Sequence, residues 1–319
     1  MALQLGEHKV ALDSTDDNAD VNFVSHAHTD HTSGLRKNRK AIASEITKEL
    51  IESRSNIKVE LIEEPDSIKL LNAGHILGSK QLYVQNDLYG YSLLYSGDYQ
   101  TSEPIAAEKI EITQADVLIV DSTYPYPHVK FEDREEVITA IQHYTRMKVE
   151  RGNVVFGAHV IGRAQELIKI MNEVGITPVV SEKISAANKV YEKHGFGMQY
   201  LDYNSAEISA KENFAMIVEQ SKIDGIREMI SAKSSKRVFT AVASGFAKMF
   251  NFGTDVQFAL SDHVDFSQAL EYMNACSPKV VFTCGPNAKT FAKNLILCGY
   301  DARPVYRASD VDALMVNYI

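Results

Sequence analysis

Ser25-His26-Ala27-His28-Thr29-Asp30-His31 is the stretch of sequence that decides the fold. Three imidazoles and a carboxylate stand within six residues, directly after the apolar run Val21-Asn22-Phe23-Val24. Neutral imidazole nitrogens and carboxylate oxygens are the ligands that zinc and similar divalent ions take in proteins. A surface tract rich in histidine is the alternative, but such a tract does not normally follow a buried strand. The sequence therefore predicts a metal site in the loop after this strand.

Three further polar residues stand at the ends of short apolar runs. Asp13 follows Val10-Ala11-Leu12, His75 lies in Ala73-Gly74-His75-Ile76-Leu77-Gly78-Ser79, and Asp98 closes Ser96-Gly97-Asp98. Taken singly, the two aspartates would be turn or cap residues, and His75 would be a structural histidine. Strands that deliver His, Asp and His to one edge of a sheet would assemble a dinuclear metal centre, and we expect these residues to meet there.

The length and composition limit the class of protein. A chain of 319 residues, 45% of them hydrophobic, predicts one large domain or two medium ones. No apolar run approaches the roughly 20 residues of a membrane span, and the N-terminal residues lack the basic-then-apolar build of a signal peptide. Cys276, Cys284 and Cys298 are odd in number and show no CxxC spacing. We therefore expect a cytoplasmic protein with reduced cysteines and no membrane partner.

The charge is unevenly distributed along the chain. The net charge is -9, whereas a nucleic-acid-binding protein usually shows a basic footprint. Residues 125–255 carry 17 Lys and Arg against 16 Asp and Glu, and the remainder carries 16 against 26. Several carboxylates of the acidic parts are candidate metal ligands, and bound cations would cancel part of their charge. The acidity therefore does not exclude a nucleic-acid substrate.

The hydrophobic pattern changes along the chain, and this change predicts an α/β fold. Short β-rich runs with Gly, Asn and Asp breaks fill the first third, and strands separated by longer helices follow from residue 116, as in parallel βαβ units. We predict strands at 8–12, 21–25, 58–62, 67–71, 80–85, 89–95, 116–121, 153–157, 178–181, 214–219, 237–243, 256–260, 279–283 and 302–306. We predict helices at 45–53, 132–150, 162–174, 184–195, 267–275 and 288–298.

The order of these motifs resembles a known superfamily. Asp13, the HxHxDH pattern at 26–31, His75 before Gly78-Ser79, and Asp98 after Ser96-Gly97 resemble the four motifs of the metallo-β-lactamase superfamily. The resemblance implies an αββα sandwich with two metals at one edge. The HxHxDH pattern alone still allows a thiolesterase, a lactamase, a phosphodiesterase or an oxidoreductase.

The same resemblance implies a role for each ligand residue. One metal would be held by His26, His28 and His75, the other by Asp30 and His31, and Asp98 would bridge the two. Asp13 would orient a ligand or the loop, and Asp265 is expected to act in the same way. The implied ions are two zinc ions, with manganese as an alternative.

Later segments resemble one branch of this superfamily. They are Val120-Asp121-Ser122-Thr123-Tyr124, Gly162-Arg163-Ala164-Gln165-Glu166, Ala243-Ser244-Gly245 and Leu260-Ser261-Asp262-His263-Val264-Asp265. They resemble the β-CASP branch, whose members process nucleic acids and carry an α/β cap domain inserted after the first extra motif, here Asp121. We expect the first part of the lactamase domain at 1–124, the cap at 125–255 and the return segment at 256–319.

The third extra motif departs from the pattern of the branch. Cys284, in Val281-Phe282-Thr283-Cys284-Gly285, stands where RNA-processing members usually have histidine and many DNA-directed members have an apolar residue. A thiolate could bind the second zinc ion, or Cys284 could be a small buried hydrophobic residue. Both interpretations stay open. The presence of cysteine in place of histidine mildly favours DNA over RNA as the substrate.

The extra motifs imply phosphodiester hydrolysis. His263 would donate a proton to the leaving oxygen, Asp121 would hold its ring, and Asp30 and Asp98 would be the other catalytic residues. The simpler alternatives are a turn or cap role for Asp121 and, for His263, a place beside a helix N-cap. Arg163 at a helix start could contact a phosphate, or it could pair with Glu166. The basic runs at 36–40 and 233–237 could follow a nucleic-acid backbone or be solvated faces.

We therefore expect a metal-dependent nuclease acting on single-stranded DNA or RNA. The chain most resembles exonucleases associated with DNA ligases, which implies DNA repair or RNA processing. An endonuclease similar to archaeal relatives of the mRNA 3′-end processing enzyme is one alternative. A small-molecule hydrolase and a non-catalytic scaffold are the others. A homodimer is compatible with the sequence, which identifies no protein partner.

Overall fold

The computed structural model describes residues 2–5, 8–16, 18–86, 90–204, 213–233 and 235–305. The chain forms two compact units, of which unit 1 comprises Met1–Lys130 with His263–Ile319 and unit 2 comprises Phe131–Asp262. Unit 2 is therefore inserted between the two segments of unit 1. The predicted ends at Tyr89 and Tyr306, and Ser234 in the predicted basic run, lie outside the described residues.

Short strands and one helix fill the first segment of unit 1. They are β1 (Ala2–Leu5), β2 (His8–Leu12), β3 (Val21–Phe23), β4 (Lys40–Ile42), α1 (Glu45–Arg54), β5 (Glu60–Leu61), β6 (Ile68–Asn72), β7 (Lys80–Asn86), β8 (Tyr91–Tyr95) and β9 (Val117–Asp121). Helix α1 begins where the Ser44 side chain accepts a hydrogen bond from the Thr47 N–H, which caps one of its unpaired donors.

Strands and helices alternate in unit 2 and in the last segment of unit 1. Unit 2 contains α2 (Arg134–Val149), β10 (Asn153–Ala158), α3 (Arg163–Glu173), β11 (Val179–Val180), α4 (Glu182–Lys193), β12 (Leu201–Asp202), β13 (Ala215–Glu219), α5 (Ile223–Lys233), β14 (Val238–Ala243) and β15 (Val256–Phe258). The return segment contains α6 (Phe266–Cys276), β16 (Val280–Cys284), α7 (Ala288–Leu297) and β17 (Ala302–Pro304).

Two sheets pack face to face in unit 1. The first has the order β1-β2-β3-β4-β5 and the second the order β17-β16-β9-β8-β7-β6. Buried side chains of both sheets form one core, with Leu12 and Phe23 from the first sheet and Ile119 and Phe282 from the second. Helices α6 and α7 cover the other face of the second sheet through a separate core. Unit 1 is therefore a sheet-on-sheet sandwich with helices packed outside.

A single parallel sheet forms the centre of unit 2. Its order is β12-β11-β13-β10-β14-β15, and every neighbouring pair is parallel. The central strand β10 is buried at every residue, as is typical of parallel sheets covered on both faces. This confirms the βαβ pattern predicted after residue 116.

Three strands and one helix differ from the prediction. We did not predict β1, β4, β12 or α5. Strand β4 begins at the exposed Lys40, inside a run that had been interpreted as a basic surface, and only Ala41 and Ile42 are buried. Helix α5 contains Gly225, which lowers helix propensity, although Ile223 and Ile230 face the core with helical spacing. No helix among the described residues is long and apolar enough to span a bilayer.

Candidate metal centre

The loop after β3 carries the histidine-rich motif and is held from outside by an arginine. Arg54, in the last turn of α1, donates to the Ala27 carbonyl at 2.6 Å and to Thr29 Oγ1 at 2.8 Å. Within the loop, the His31 N–H donates to the His28 carbonyl at 3.3 Å. These bonds fix the turn that points the motif's side chains to one side. This role of Arg54 was not predicted, because in the sequence Arg54 is recognisable only as a basic residue at the end of a helix.

Four predicted ligands lie together at one site. The ligand atoms of His26, His28, His75 and Asp98 all lie within 4.8 Å of one another. His28 Nδ1 and His75 Nε2 face each other at 3.2 Å. Carboxylate and imidazole groups converging in a buried pocket are the donor set of a divalent transition metal.

The protonation of His26 provides a test of whether these residues fit a metal. Ser25 Oγ donates its one hydrogen to Asp13 Oδ2 at 2.5 Å, so it accepts from His26 Nδ1 at 2.9 Å. His26 Nε2 then carries the lone pair, is buried, and has no hydrogen-bond partner in the described part of the chain. Burial, followed by the neighbouring His31, lowers the pKa of His26 well below its usual value. A neutral, buried, unpaired nitrogen fits a metal ligand.

Asp98 lies at the centre of the site. Its Oδ2 is 3.2 Å from His31 Nε2, 3.6 Å from His26 Nε2, 3.8 Å from His75 Nε2 and 3.9 Å from His263 Nε2. Burial raises its pKa, but His31 and His263 outweigh this effect and hold the pKa well below the usual value. A Cβ on Gly97 (φ +54°) would lie 2.7 Å from Ser25 Cβ, so only glycine allows this close approach. The ionised carboxylate therefore faces imidazoles from both predicted ligand sets, His26 and His75 from one and His31 from the other.

Asp30 and His31 lie on the outer side of the same centre. His31 Nε2 is 3.5 Å from Asp30 Oδ2, and the Asp30 side chain is 79% exposed. The hydrogen bond from His31 lowers the pKa of Asp30 to about 2. Burial lowers the pKa of His31, but the carboxylates of Asp98 and Asp13 raise it well above its usual value.

Asp13 orients the loop rather than forming a simple turn. It has φ +43° and accepts hydrogen bonds from Ser25 N at 2.7 Å, His31 Nδ1 at 2.9 Å and Tyr95 Oη at 2.9 Å, besides the Ser25 hydroxyl. By engaging His31 Nδ1, it leaves Nε2 directed toward Asp98. The sequence analysis missed Tyr95, although a tyrosine at the end of a buried strand needs a polar partner.

Replacing Tyr95 with phenylalanine is expected to lower the free energy of unfolding by about 2 kcal/mol, the usual size of a hydrogen bond to a charged group. The loss arises because the Asp13 side chain, which is only 4% exposed, loses one of its hydrogen-bond donors. Urea unfolding measures the change. Tyr83→Phe is the matched control, because among the described residues the Tyr83 hydroxyl bonds only the exposed Gln85 side chain, at 2.9 Å. Equal stabilities of the two variants would contradict the prediction.

His263 and Asp121 form a second pair beside Asp98. His263 Nδ1 lies 3.4 Å from Asp121 Oδ2, which also accepts from the Thr123 N–H at 3.2 Å. The Asp121 carboxylate therefore lies beside the His263 ring and also accepts a backbone hydrogen bond within its own turn. Gln100, missed from the sequence, donates through Nε2 to the His263 carbonyl at 2.9 Å. Asp265 caps α6, accepting from the Gln268 N–H at 2.9 Å.

Cys284 lies on β16 opposite Asp121 of β9. Its Sγ donates to the Val120 carbonyl at 3.4 Å. Burial, followed by the nearby Asp121 and Asp98, raises the pKa of the thiol. The thiol thus lies beside the centre, and its predicted role as a ligand of the second metal stays a prediction.

Arg163 lies in unit 2 and is almost fully buried. Its guanidinium is ion-paired with Glu166, and its Nη2 is 3.4 Å from Asp262. Glu166 also pairs with Arg134, which donates to the Ser261 carbonyl at 2.8 Å. Pairing with Glu166 was the predicted alternative to a phosphate contact. The structure contains this ion pair, in the interior rather than on the surface. The phosphate contact stays a prediction.

Comparisons with known proteins identify relatives of the chain. No family model matches it. It is 26% identical over 295 residues to a probable DNA ligase of Opitutus terrae, covering 88% of this chain and 28% of that protein. It is 30% identical over 193 residues to an RNase J-like protein of Methanocaldococcus jannaschii, covering 50% of this chain and 45% of that protein.

A third relative is covered almost completely. The "Uncharacterized protein in lig 3'region" of Acidianus ambivalens is 32% identical over 139 residues, which is 43% of this chain and 95% of that protein. The chain spans less than half the length of the DNA ligase and of the RNase J-like protein. Together with the sandwich fold and the motif order of the centre, these relatives show that the chain belongs to the metallo-β-lactamase superfamily and, within it, to the β-CASP branch.

Proposed function

We propose that this chain is a zinc-dependent nuclease that hydrolyses phosphodiester bonds of single-stranded DNA or RNA, as an exonuclease of DNA repair or RNA processing. The observation that carries the proposal is the position of Asp98. One carboxylate oxygen of Asp98 faces the metal-type histidine cluster and also His263, whose ring is backed by Asp121. An electrophilic metal site and a group able to donate a proton are thus adjacent, as phosphodiester hydrolysis requires.

Different residues of unit 1 would bind the metal ions and donate the proton. His26, His28, His75 and Asp98 would hold one ion, and Asp30, His31 and Asp98 the other, with Cys284 as a further candidate at the second site. Bound ions supply Lewis acidity toward the phosphoryl oxygens and lower the pKa of water. Asp121 engages His263 Nδ1 and so leaves Nε2 on the side of Asp98. His263 would deliver a proton from Nε2 to the leaving oxygen.

Unit 2 would be the cap domain of the branch. Its parallel sheet and the return of the chain at His263 support this assignment. Arg163 would lie at the helix start where a phosphate contact was predicted, and reaching a phosphate would require its ion pairs to rearrange. Free cysteines support a cytoplasmic location.

An RNA endonuclease of the mRNA 3′-end processing type is the second candidate function. The name of the RNase J-like relative favours RNA, whereas the name of the DNA ligase favours DNA. A lactam or thioester hydrolase would use the same histidine loop. It would leave the Asp121–His263 pair and the whole of unit 2 without a role, so we rank it below both nuclease forms.

Incubating the metal-loaded protein with matched 5′- and 3′-labelled single-stranded DNA and RNA tests the proposal. We expect cleavage of at least one of the two polymers, with product lengths that report polarity and endo- or exo-cleavage. We expect a chelator to stop cleavage and added zinc or manganese to restore it. Metal analysis is the companion measurement. Fewer than one divalent ion per chain in protein purified without chelator would contradict the metal-dependent mechanism.

A further inference from the structure

A cleft of about 230 Å³ lies in unit 2, at the carboxyl end of its parallel sheet. Ser181 and Lys183 directly follow β11, and Glu219 is the last residue of β13. Tyr203 follows β12, and Lys222 and Ile226 belong to the segment after β13. The proposed nuclease mechanism uses none of these residues.

The connections of the sheet explain why a cleft forms at this place. Strands β11 and β13 are parallel neighbours. The chain leaves β11 through α4 toward β12 on one side, and it leaves β13 through α5 past β10 toward β14 on the other side. The loops after the two strands therefore diverge and leave a crevice between them. Open parallel sheets bind ligands at such points, outside the carboxyl ends of the strands.

One buried polar atom of the cleft lacks a partner. Ser181 Oγ is buried and makes no hydrogen bond within the described residues, and it does not cap α4 although Ser181 is the N-cap residue. Two lysines adjoin it. Lys183 Nζ lies 3.7 Å from Glu219 Oε1, and the exposed Lys222 forms no ion pair with a described residue. A serine hydroxyl, a helix start and two ammonium groups together suit the phosphate of a ligand.

The rest of the cleft suits a nucleoside. The Glu219 carboxylate ends the neighbouring strand, the position at which acidic residues of dinucleotide-binding sheets accept hydrogen bonds from ribose hydroxyls. Tyr203, which is 37% exposed, and Ile226 provide an aromatic and an apolar surface for a planar base. Glu182 also lines the cleft, and Asn204 Nδ2 donates to its carboxylate at 3.2 Å.

We propose that this cleft of unit 2 binds a nucleoside monophosphate. The phosphate contacts Ser181, Lys222 and the start of α4, the ribose contacts Glu219, and the base lies against Tyr203 and Ile226. The proposal rests on residues of unit 2 alone. It does not depend on nuclease activity, and its test does not measure activity.

Calorimetric titration of AMP into the full metal-loaded chain tests the proposal. We expect a binding event whose Kd rises at least about tenfold in Ser181→Ala and in Lys222→Glu, because each change removes a contact to a charged phosphate. Lys189→Ala is the matched control, since Lys189 is an exposed lysine of α4 that does not line the cleft. The control is expected to bind AMP as the unmodified chain does.

Titrations with inorganic phosphate and with adenosine separate the two halves of the ligand. We expect both to bind at least about tenfold more weakly than AMP, since each lacks part of the contact set. Three results would each overturn the proposal. They are the absence of AMP binding, an AMP affinity that both cleft variants leave unchanged, and inorganic phosphate binding as tightly as AMP. Thermal unfolding of each variant verifies that it is folded.

Discussion

Replacing Asp98 with asparagine is expected to remove bound metal and to reduce phosphodiester cleavage by at least about 10³-fold, which corresponds to several kcal/mol of transition-state stabilisation. The reason is electrostatic. Asp98 Oδ2 is the anionic group that the rings of His26, His31, His75 and His263 share. Asparagine has nearly the same shape but no charge, so the variant loses the anion that these rings share without creating a cavity.

Metal content per chain and the rate of cleavage of a labelled strand are the two measurements for Asp98→Asn. Asp66→Asn is the matched control, because Asp66 is an exposed aspartate that belongs to no metal-type group of the described residues. We expect the control to keep both its metal and its activity. A variant at Asp98 that retained its metal and cleaved at the rate of the control would show that the centre lies elsewhere.

Replacing His263 with alanine is expected to slow cleavage by on the order of 10²–10⁴-fold, the usual loss for a general acid. His263 lies outside the group of His26, His28, His75 and Asp98, although it also forms a metal-type group with Asp98 and Asp121. Because the proposed role of His263 is that of the acid, we expect the four-residue group to retain its metal. A general acid must be protonated to act. In the unmodified chain kcat/KM should therefore fall as the pH rises through the pKa of His263, and the variant should lack this fall.

The pH profile of cleavage, with metal content measured in parallel, provides the evidence on His263. His143→Ala is the matched control, because His143 is exposed on α2 and belongs to no metal-type group of the described residues. Asp121→Asn is expected to shift the alkaline limb to lower pH, since it removes the carboxylate 3.4 Å from His263 Nδ1. An unchanged alkaline limb in His263→Ala would assign the proton donor to another group.

The regular alternation of apolar strand segments with helical segments made most of the fold predictable from the sequence. The parallel order of unit 2 follows from apolar strands spaced by helices, and the comparisons confirm the lactamase-type sandwich with an α/β insertion. Strand β12 has only two residues, and β4 has only two buried ones, which is too short for a periodic signal. Helix α5 was not predicted because Gly225 lowers the helix propensity of the segment. Burial of Ile223 and Ile230 in the core of the folded unit offsets this loss.

The grouping of His26, His28, His75 and Asp98 could be predicted because each stands beside a strand end with a distinctive neighbour. The residues that hold these motif residues in place could not be predicted. Tyr95 bonds Asp13 across 82 residues, and Gln100 bonds His263 across 163 residues. Such partners leave no local pattern, because a side chain's hydrogen-bond partner is decided by packing. The pairing of Arg163 with Glu166 was a predicted alternative, but its burial could not be predicted, since only the folded unit excludes water from it.

The insertion of unit 2 between β9 and β16 has a consequence for the order of folding. Cys284 pairs with Asp121 only after about 160 residues of intervening chain have been brought together, which costs about 3 kcal/mol more entropy than closing a hairpin loop of about five residues. Early folding of unit 2 shortens that loop. The proposed metal ligands His26, His28, His75 and Asp98 all precede the insertion, and the proposed acid His263 follows it. In the proposed mechanism the growing chain therefore holds a complete metal-type group before its proton donor has been synthesised.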